Sequence, residues 1–168
     1  MHDKLTKQDI ELMKKELEDR TLHIRPQIME EVKRTRAFGD LSENYEYKAA
    51  KDAQRRNDSR MRYLENMIKT ANIIDDGAGH SGGAKLYDRL TLWLPEDEEE
   101  MVIQVVSTVR TNPSAGLISL ESPLGKAVLG SRVGDVVNVR VNESYAYDAE
   151  IRAIEEAEDD GSAPLLPF

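Results

Sequence analysis

From residue 47 to residue 71, seam positions return at alternating steps of three and four: Tyr47, Ala50, Gln54, Asn57, Met61, Leu64, Ile68 and Ala71. That spacing is a heptad seam on a long helix, polar in its middle at Gln54 and Asn57. Upstream, Ile10, Met13, Leu17, Ile24, Ile28 and Thr35 share a similar stripe, and Thr6 with Asp9 three residues on reads as the N-cap of its helix. Only residues 38–43 separate the two stripes, too few for anything but an antiparallel return. Each arm of about 30 residues is roughly 45 Å long at 1.5 Å per residue, so the turn is expected far from any globular core. Pro26 removes one backbone donor inside the first arm and predicts a local kink.

After residue 84 the period falls to two. Strands are predicted over residues 85–94, 101–109, 117–120, 135–141 and 146–154, in a mainly antiparallel sheet. Ser122, Pro123 and Gly130 bracket residues 124–129 with an N-cap serine, an N1 proline and a C-terminal glycine, the pattern of one short helix. Trp93, within an alternating strand, reads as a core residue. Between the two patterns, residues 75–84 hold four of the ten glycines and no large apolar side chain, as a connector does. The expected organisation is a helical hairpin over residues 1–74, a linker over 75–84, a sheet domain over 85–157 and an acidic, flexible tail over 158–168. The fold class is α+β.

Composition narrows the chemistry. With no cysteine there is no thiolate metal site, and His2, His23 and His80 are scattered, so any metal rests on carboxylates. No apolar run approaches the roughly 18 residues of a membrane span, and the N-terminus is not that of a signal peptide, which predicts a cytoplasmic protein. A net charge of -9 argues against phosphate-backbone binding by the molecule as a whole. From Val32 to Arg62, however, nine basic residues face five acidic ones, a local +4. This flank is either a guide for a phosphate backbone or a solvated face laced with salt bridges. Within the turn, Asp40 and Glu43 stand three residues apart, and they too read two ways. They form an acidic capping box, with Asp40 as N-cap, or they hold a divalent cation on an exposed end. Mg²⁺ commonly takes one or two carboxylates and completes its shell with water and substrate phosphates.

The stretch Gly39-Asp40-Leu41-Ser42-Glu43-Asn44, followed by Glu46-Tyr47 and Ala49-Ala50-Lys51, resembles the hairpin tip of the bacterial Gre transcript cleavage factors. A second match, Leu117-Ile118-Ser119, Ser122-Pro123-Leu124-Gly125-Lys126-Ala127, Leu129-Gly130 and Gly134-Asp135, is similar to that family's C-terminal signature. The resemblance implies an N-terminal antiparallel coiled coil and an FKBP-like C-terminal domain that contacts RNA polymerase, through a region including Ser122, Pro123, Leu124, Gly125 and Lys126, without prolyl isomerase activity. It further implies that the tip enters the polymerase secondary channel, where Asp40 and Glu43 help hold a Mg²⁺ shared with the polymerase. The 3′ end of backtracked RNA is then hydrolysed by the polymerase itself, so the chain is an activator rather than an enzyme. Ser42 and Asn44 would support the turn, and Lys48, Lys51, Arg55 and Arg56 would face the RNA. The expected partners are bacterial RNA polymerase and the nascent RNA 3′ end, with no membrane and no small-molecule substrate, and the chain is expected to be monomeric. Tyr45 stands where that family usually has a small residue. Two other readings stay open: a Gre-like paralogue that occupies the channel and inhibits without cleavage, and a coiled-coil adaptor whose acids only cap a helix.

Overall fold

The computed structural model describes residues 2–39, 43–75 and 82–167. They fall into two units. Ile10–Ala71 forms a helical hairpin, and the residues up to Asp9 together with those from Asn72 onward form a globular unit. Among the described residues no helix is long and apolar enough to cross a membrane.

The first arm is α1 (Lys7–Asp19), a π-helical turn (Arg20–Ile24) and α2 (Arg25–Arg36); the second is α3 (Tyr45–Thr70). Thr6 and Asp9 form the reciprocal cap expected of them: the Thr6 N–H donates to Asp9 Oδ2 at 2.8 Å, and the Asp9 N–H donates to Thr6 Oγ1 at 3.2 Å. Pro26 sits in the first turn of α2, and its cost appears as the π-helical turn just before it, where the Arg25 N–H reaches back to the Arg20 carbonyl. Widening the turn moves the carbonyls that a proline ring would strike and relocates the missing bond. Ala50, Asn57, Met61 and Leu64 are buried along the second arm as the seam requires, and Met13, Val32 and Thr35 along the first.

The polar middle of the seam is occupied by a network between the arms. Glu16 accepts from Arg60 through both oxygens, at 2.8 and 2.9 Å, and from Arg20 Nε at 2.8 Å, while Arg20 also donates to Asn57 Oδ1 at 2.9 Å. Burial alone pushes the Glu16 carboxyl up, but the hydrogen bonds and charges of Arg60 and Arg20 outweigh it and hold it below the usual carboxylate range. A carboxyl depressed in the folded state contributes stability above its unfolded pKa, and that contribution is lost as pH falls through the lower folded value. Glu16→Gln is therefore expected to destabilise the hairpin by about 2 kcal/mol at neutral pH. It should also flatten the fall in helical melting temperature between about pH 5 and pH 3, as circular dichroism melts at several pH values would show.

In the globular unit, β3 (Arg89–Leu94), β4 (Glu99–Val106), β5 (Leu117–Ser119), β6 (Val136–Arg140) and β7 (Ala146–Glu155) form one sheet in the order β5-β4-β3-β7-β6. All pairings are antiparallel except β4 with β5. Leu90, Leu92, Ile103, Val105, Ala149 and Ile151 line its inner face with Leu124 and Val128 of α4 (Pro123–Val128). Ser122 caps α4 as predicted, accepting from the Gly125 N–H at 3.0 Å. A Cβ on Gly125 would lie 2.1 Å from the Ser119 carbonyl oxygen, so the helix seats this closely only with glycine there.

Five expectations need correction. First, β1 (Lys4–Leu5) pairs in parallel with β2 (Asn72–Ile73), and Leu5 is fully buried, so the chain's start belongs to the globular unit and not to the hairpin. Second, the described end of the linker is not a free connector: Ala84 is buried and exchanges backbone bonds with Ser131 and Gly130, both 2.8 Å; residues 76–81 lie outside the described residues. Third, Trp93 is not in the core. Leu90 and Leu92 point inward, so Trp93 faces out, where the Arg152 guanidinium lies 4.4 Å from its ring centre. Fourth, the segment 158–167, though largely exposed, is anchored at three points. Asp159 is buried against Arg110, the Ala163 carbonyl accepts from Arg110 Nε at 2.9 Å, and the Leu166 N–H donates to the Val109 carbonyl at 2.7 Å. Fifth, Tyr87, expected inside a strand, has a left-handed φ of 69°, so β3 begins only at Arg89.

Candidate functional site

The end of the hairpin is built by Asn44. Its Oδ1 accepts from the Tyr47 N–H at 2.9 Å, which makes it the N-cap of α3, and its Nδ2 donates to the Thr35 carbonyl at 2.7 Å. One short side chain thus starts the second arm and ties it to the last turn of the first. Thr35 is buried and donates its own hydroxyl to the Glu31 carbonyl at 2.8 Å. Arg36 and Tyr47 face each other across the same junction, with the guanidinium 5.8 Å from the ring centre and 3.4 Å from the phenol oxygen. The hydrogen bond from Arg36 lowers the Tyr47 hydroxyl pKa. Gly39 leaves α2 with φ of 97°, a left-handed conformation that disfavours a Cβ.

The capping reading of the tip acids does not hold for α3. The cap is Asn44, and Glu43 precedes it in a bend outside the helix, exposed and without a basic partner among the described residues. Asp40 and Ser42 lie outside the described residues. No group of three or more His, Asp or Glu side chains that could hold a metal occurs among the described residues. Glu43 offers a hard oxygen donor that the fold leaves uncommitted, the kind Mg²⁺ takes.

Part of the basic flank is committed to ion pairs within the hairpin. Arg60 is committed to Glu16, Arg34 to Glu31 and Glu46, and Arg55 to Asp52. Lys51 is half-buried and donates to Gln54 Oε1 at 2.9 Å. Lys48 and Arg56 are exposed; Lys48 lies 5.5 Å from the Tyr45 ring centre. The four residues singled out in the sequence are therefore not one uniform surface: Lys48 and Arg56 keep their charge available, and Lys51 and Arg55 share theirs. Sequence reasoning gave Asn44 a supporting place at the turn but missed its partner Thr35 and the Arg36–Tyr47 contact. The step from Thr35 to Asn44 across a turn rich in cap-forming residues was the available signal.

In the globular unit, Leu124 and Gly125 are buried, so within the segment 122–126 only Pro123 and Lys126 present fully exposed side chains. Lys126 pairs with Glu121 at 3.2 Å, and Glu121 also pairs with Lys4 at 3.3 Å.

A family model described as "Transcription elongation factor, N-terminal" matches residues 4–73, and one described as "Transcription elongation factor, GreA/GreB, C-term" matches residues 82–156. The chain is 37% identical over 145 residues to the transcription elongation factor GreA of Mesoplasma florum, covering 86% of this chain and 93% of that one. It is 42% identical over 137 residues to GreA of Geobacillus kaustophilus, covering 81% and 86%. Among solved structures, GreA factor homolog 1 of Thermus thermophilus is similar at 28% identity with a TM-score of 0.43, covering 93% of this chain and all of that one.

Proposed function

The chain belongs to the GreA/GreB family of transcription elongation factors, and on that footing we propose that it stimulates hydrolysis of the 3′ end of backtracked RNA by RNA polymerase. The observation that carries this reading is an exposed carboxylate at Glu43 that neither caps α3 nor pairs with a base among the described residues, next to Asn44, which ties the start of α3 to Thr35.

In this mechanism the hairpin end enters the polymerase secondary channel, where Asp40 and Glu43 would hold a Mg²⁺ shared with the polymerase. Bound there, the ion would supply charge stabilisation at the phosphodiester and an acidified water. The chain's own residues position and do not cleave. Asn44 fixes where Glu43 leaves the backbone, Lys48 and Arg56 attract the RNA phosphates, and Arg36 braces the junction through Tyr47. The protein is thus an activator of the polymerase's hydrolytic activity and no nuclease by itself, with Pro123 and Lys126 of the globular unit as polymerase contacts. Adding the chain to a purified backtracked transcription complex in Mg²⁺ tests the proposal: short 3′ RNA fragments should be released faster than without it, and an unchanged rate despite binding would reject it.

A further inference from the structure

Three tyrosines lie on α3, and two are used by the fold: Tyr47 is braced by Arg36, and Tyr63 lies under the Arg60 guanidinium, 5.2 Å from its ring centre. Tyr45 is different. It is the first residue of the helix, two positions from Glu43, and it is 80% exposed, the most of any large apolar or aromatic side chain among the described residues. A ring held this far into water contributes almost nothing to a core. Lys48, one turn on, stands 5.5 Å from its centre and biases how the ring lies on the helix surface. With Arg56, spaced three, four and four residues apart through Asp52, these side chains form one exposed stripe running back from the turn. Asp52, the one acid on this line, is paired with Arg55, and Lys48 lies over one face of the ring, leaving the other face and the cations for a ligand; an exposed aromatic ring with cations on the same line is an arrangement by which proteins hold single-stranded nucleic acid, bases on the ring and phosphates on the cations.

We propose that Tyr45 is a positioning residue whose ring stacks on an unpaired base of the RNA 3′ segment, with Lys48 and Arg56 holding the adjoining phosphates. The inference rests on the cleavage reading above and adds to it the substrate group that is recognised. The stack places the scissile region beside Glu43, so it acts through position and not at the reacting atoms.

The test crosses a protein change with an RNA change. Wild type, Tyr45→Ala and Tyr45→Phe are compared on backtracked complexes whose extruded nucleotides carry either normal bases or none, with polymerase occupancy matched and melting temperature recorded. On base-bearing RNA, Tyr45→Ala is expected to slow cleavage about 5- to 100-fold, the range of one base–aromatic stack, while Tyr45→Phe stays near wild type. On abasic RNA the three proteins should be equal. Equal rates for Tyr45→Ala and wild type on base-bearing RNA would overturn the stacking role. So would an equal loss on both RNAs, which would mark the ring as a contact to the polymerase wall. No stimulation by wild type on either RNA would overturn the cleavage reading itself.

Discussion

Arg110→Ala is expected to lower the stability of the globular unit by about 3–5 kcal/mol, because it strands two buried carboxylates at once. The Arg110 side chain is fully enclosed, and it meets Asp9 Oδ1 at 3.3 Å, both oxygens of Asp159, the Tyr87 hydroxyl at 2.8 Å and the Ala163 carbonyl. Burial disfavours its charge, yet the hydrogen bond to Asp159 and the charges of Asp159 and Asp9 outweigh it, so its pKa is raised. Tyr87 is pushed up by burial first and then by the Asp9 charge, so its hydroxyl stays neutral beside them. Removing the guanidinium leaves Asp9, whose other oxygen accepts from the N-cap Thr6, with an unpaired oxygen, frees the tail at Asp159 and removes a brace from the left-handed Tyr87. Asp159→Asn should cost less, since Asp9 still compensates the arginine. Thermal melts of both variants check the order, and a loss for Arg110→Ala no larger than for Asp159→Asn would show that the cluster is not the anchor of the tail.

Glu43→Gln is expected to reduce stimulated RNA cleavage on the order of 100-fold, as loss of a few kcal/mol of charge stabilisation by a metal ion would do. Its melting temperature should not move, because Glu43 is exposed and the cap of α3 is Asn44. Asn44→Ala differs from it in lowering the melting temperature. It removes both the N-cap and the tie to Thr35, costing about 1–2 kcal/mol, while the acids stay in the sequence. Measured side by side, the two variants separate ligand chemistry from architecture at the same turn.

Much of the fold was legible because its signals are local and periodic. The heptad steps placed the buried face of α3, Thr6 with Asp9 marked the start of α1, and Ser122 with Pro123 marked α4. What escaped depended on partners distant in sequence. The turn offers Asp40, Ser42 and Asn44, all good caps; Asn44 became the cap of α3 because it also reaches the Thr35 carbonyl, a tertiary bond that no local rule scores. Asp159 is one acid among several in the tail, and its burial follows only from Arg110, 49 residues earlier. Trp93 lies outside the core for a simpler reason: strand alternation with the buried Leu90 and Leu92 puts it on the outer face, whatever the size of its ring. At the candidate site the acids stood out in the sequence through the resemblance, while the division of the basic residues into paired and available ones required the side-chain geometry.

The central claim is that the tip acids make this chain an activator of RNA cleavage. It is tested most directly by release of labelled 3′ fragments from a purified backtracked transcription complex in Mg²⁺, with no factor, wild type or Asp40→Ser at matched polymerase occupancy. Fragments released rapidly with wild type, and at the factor-free rate with Asp40→Ser, are the predicted result. Equal release by wild type and Asp40→Ser, or none by wild type while it occupies the polymerase, would contradict it.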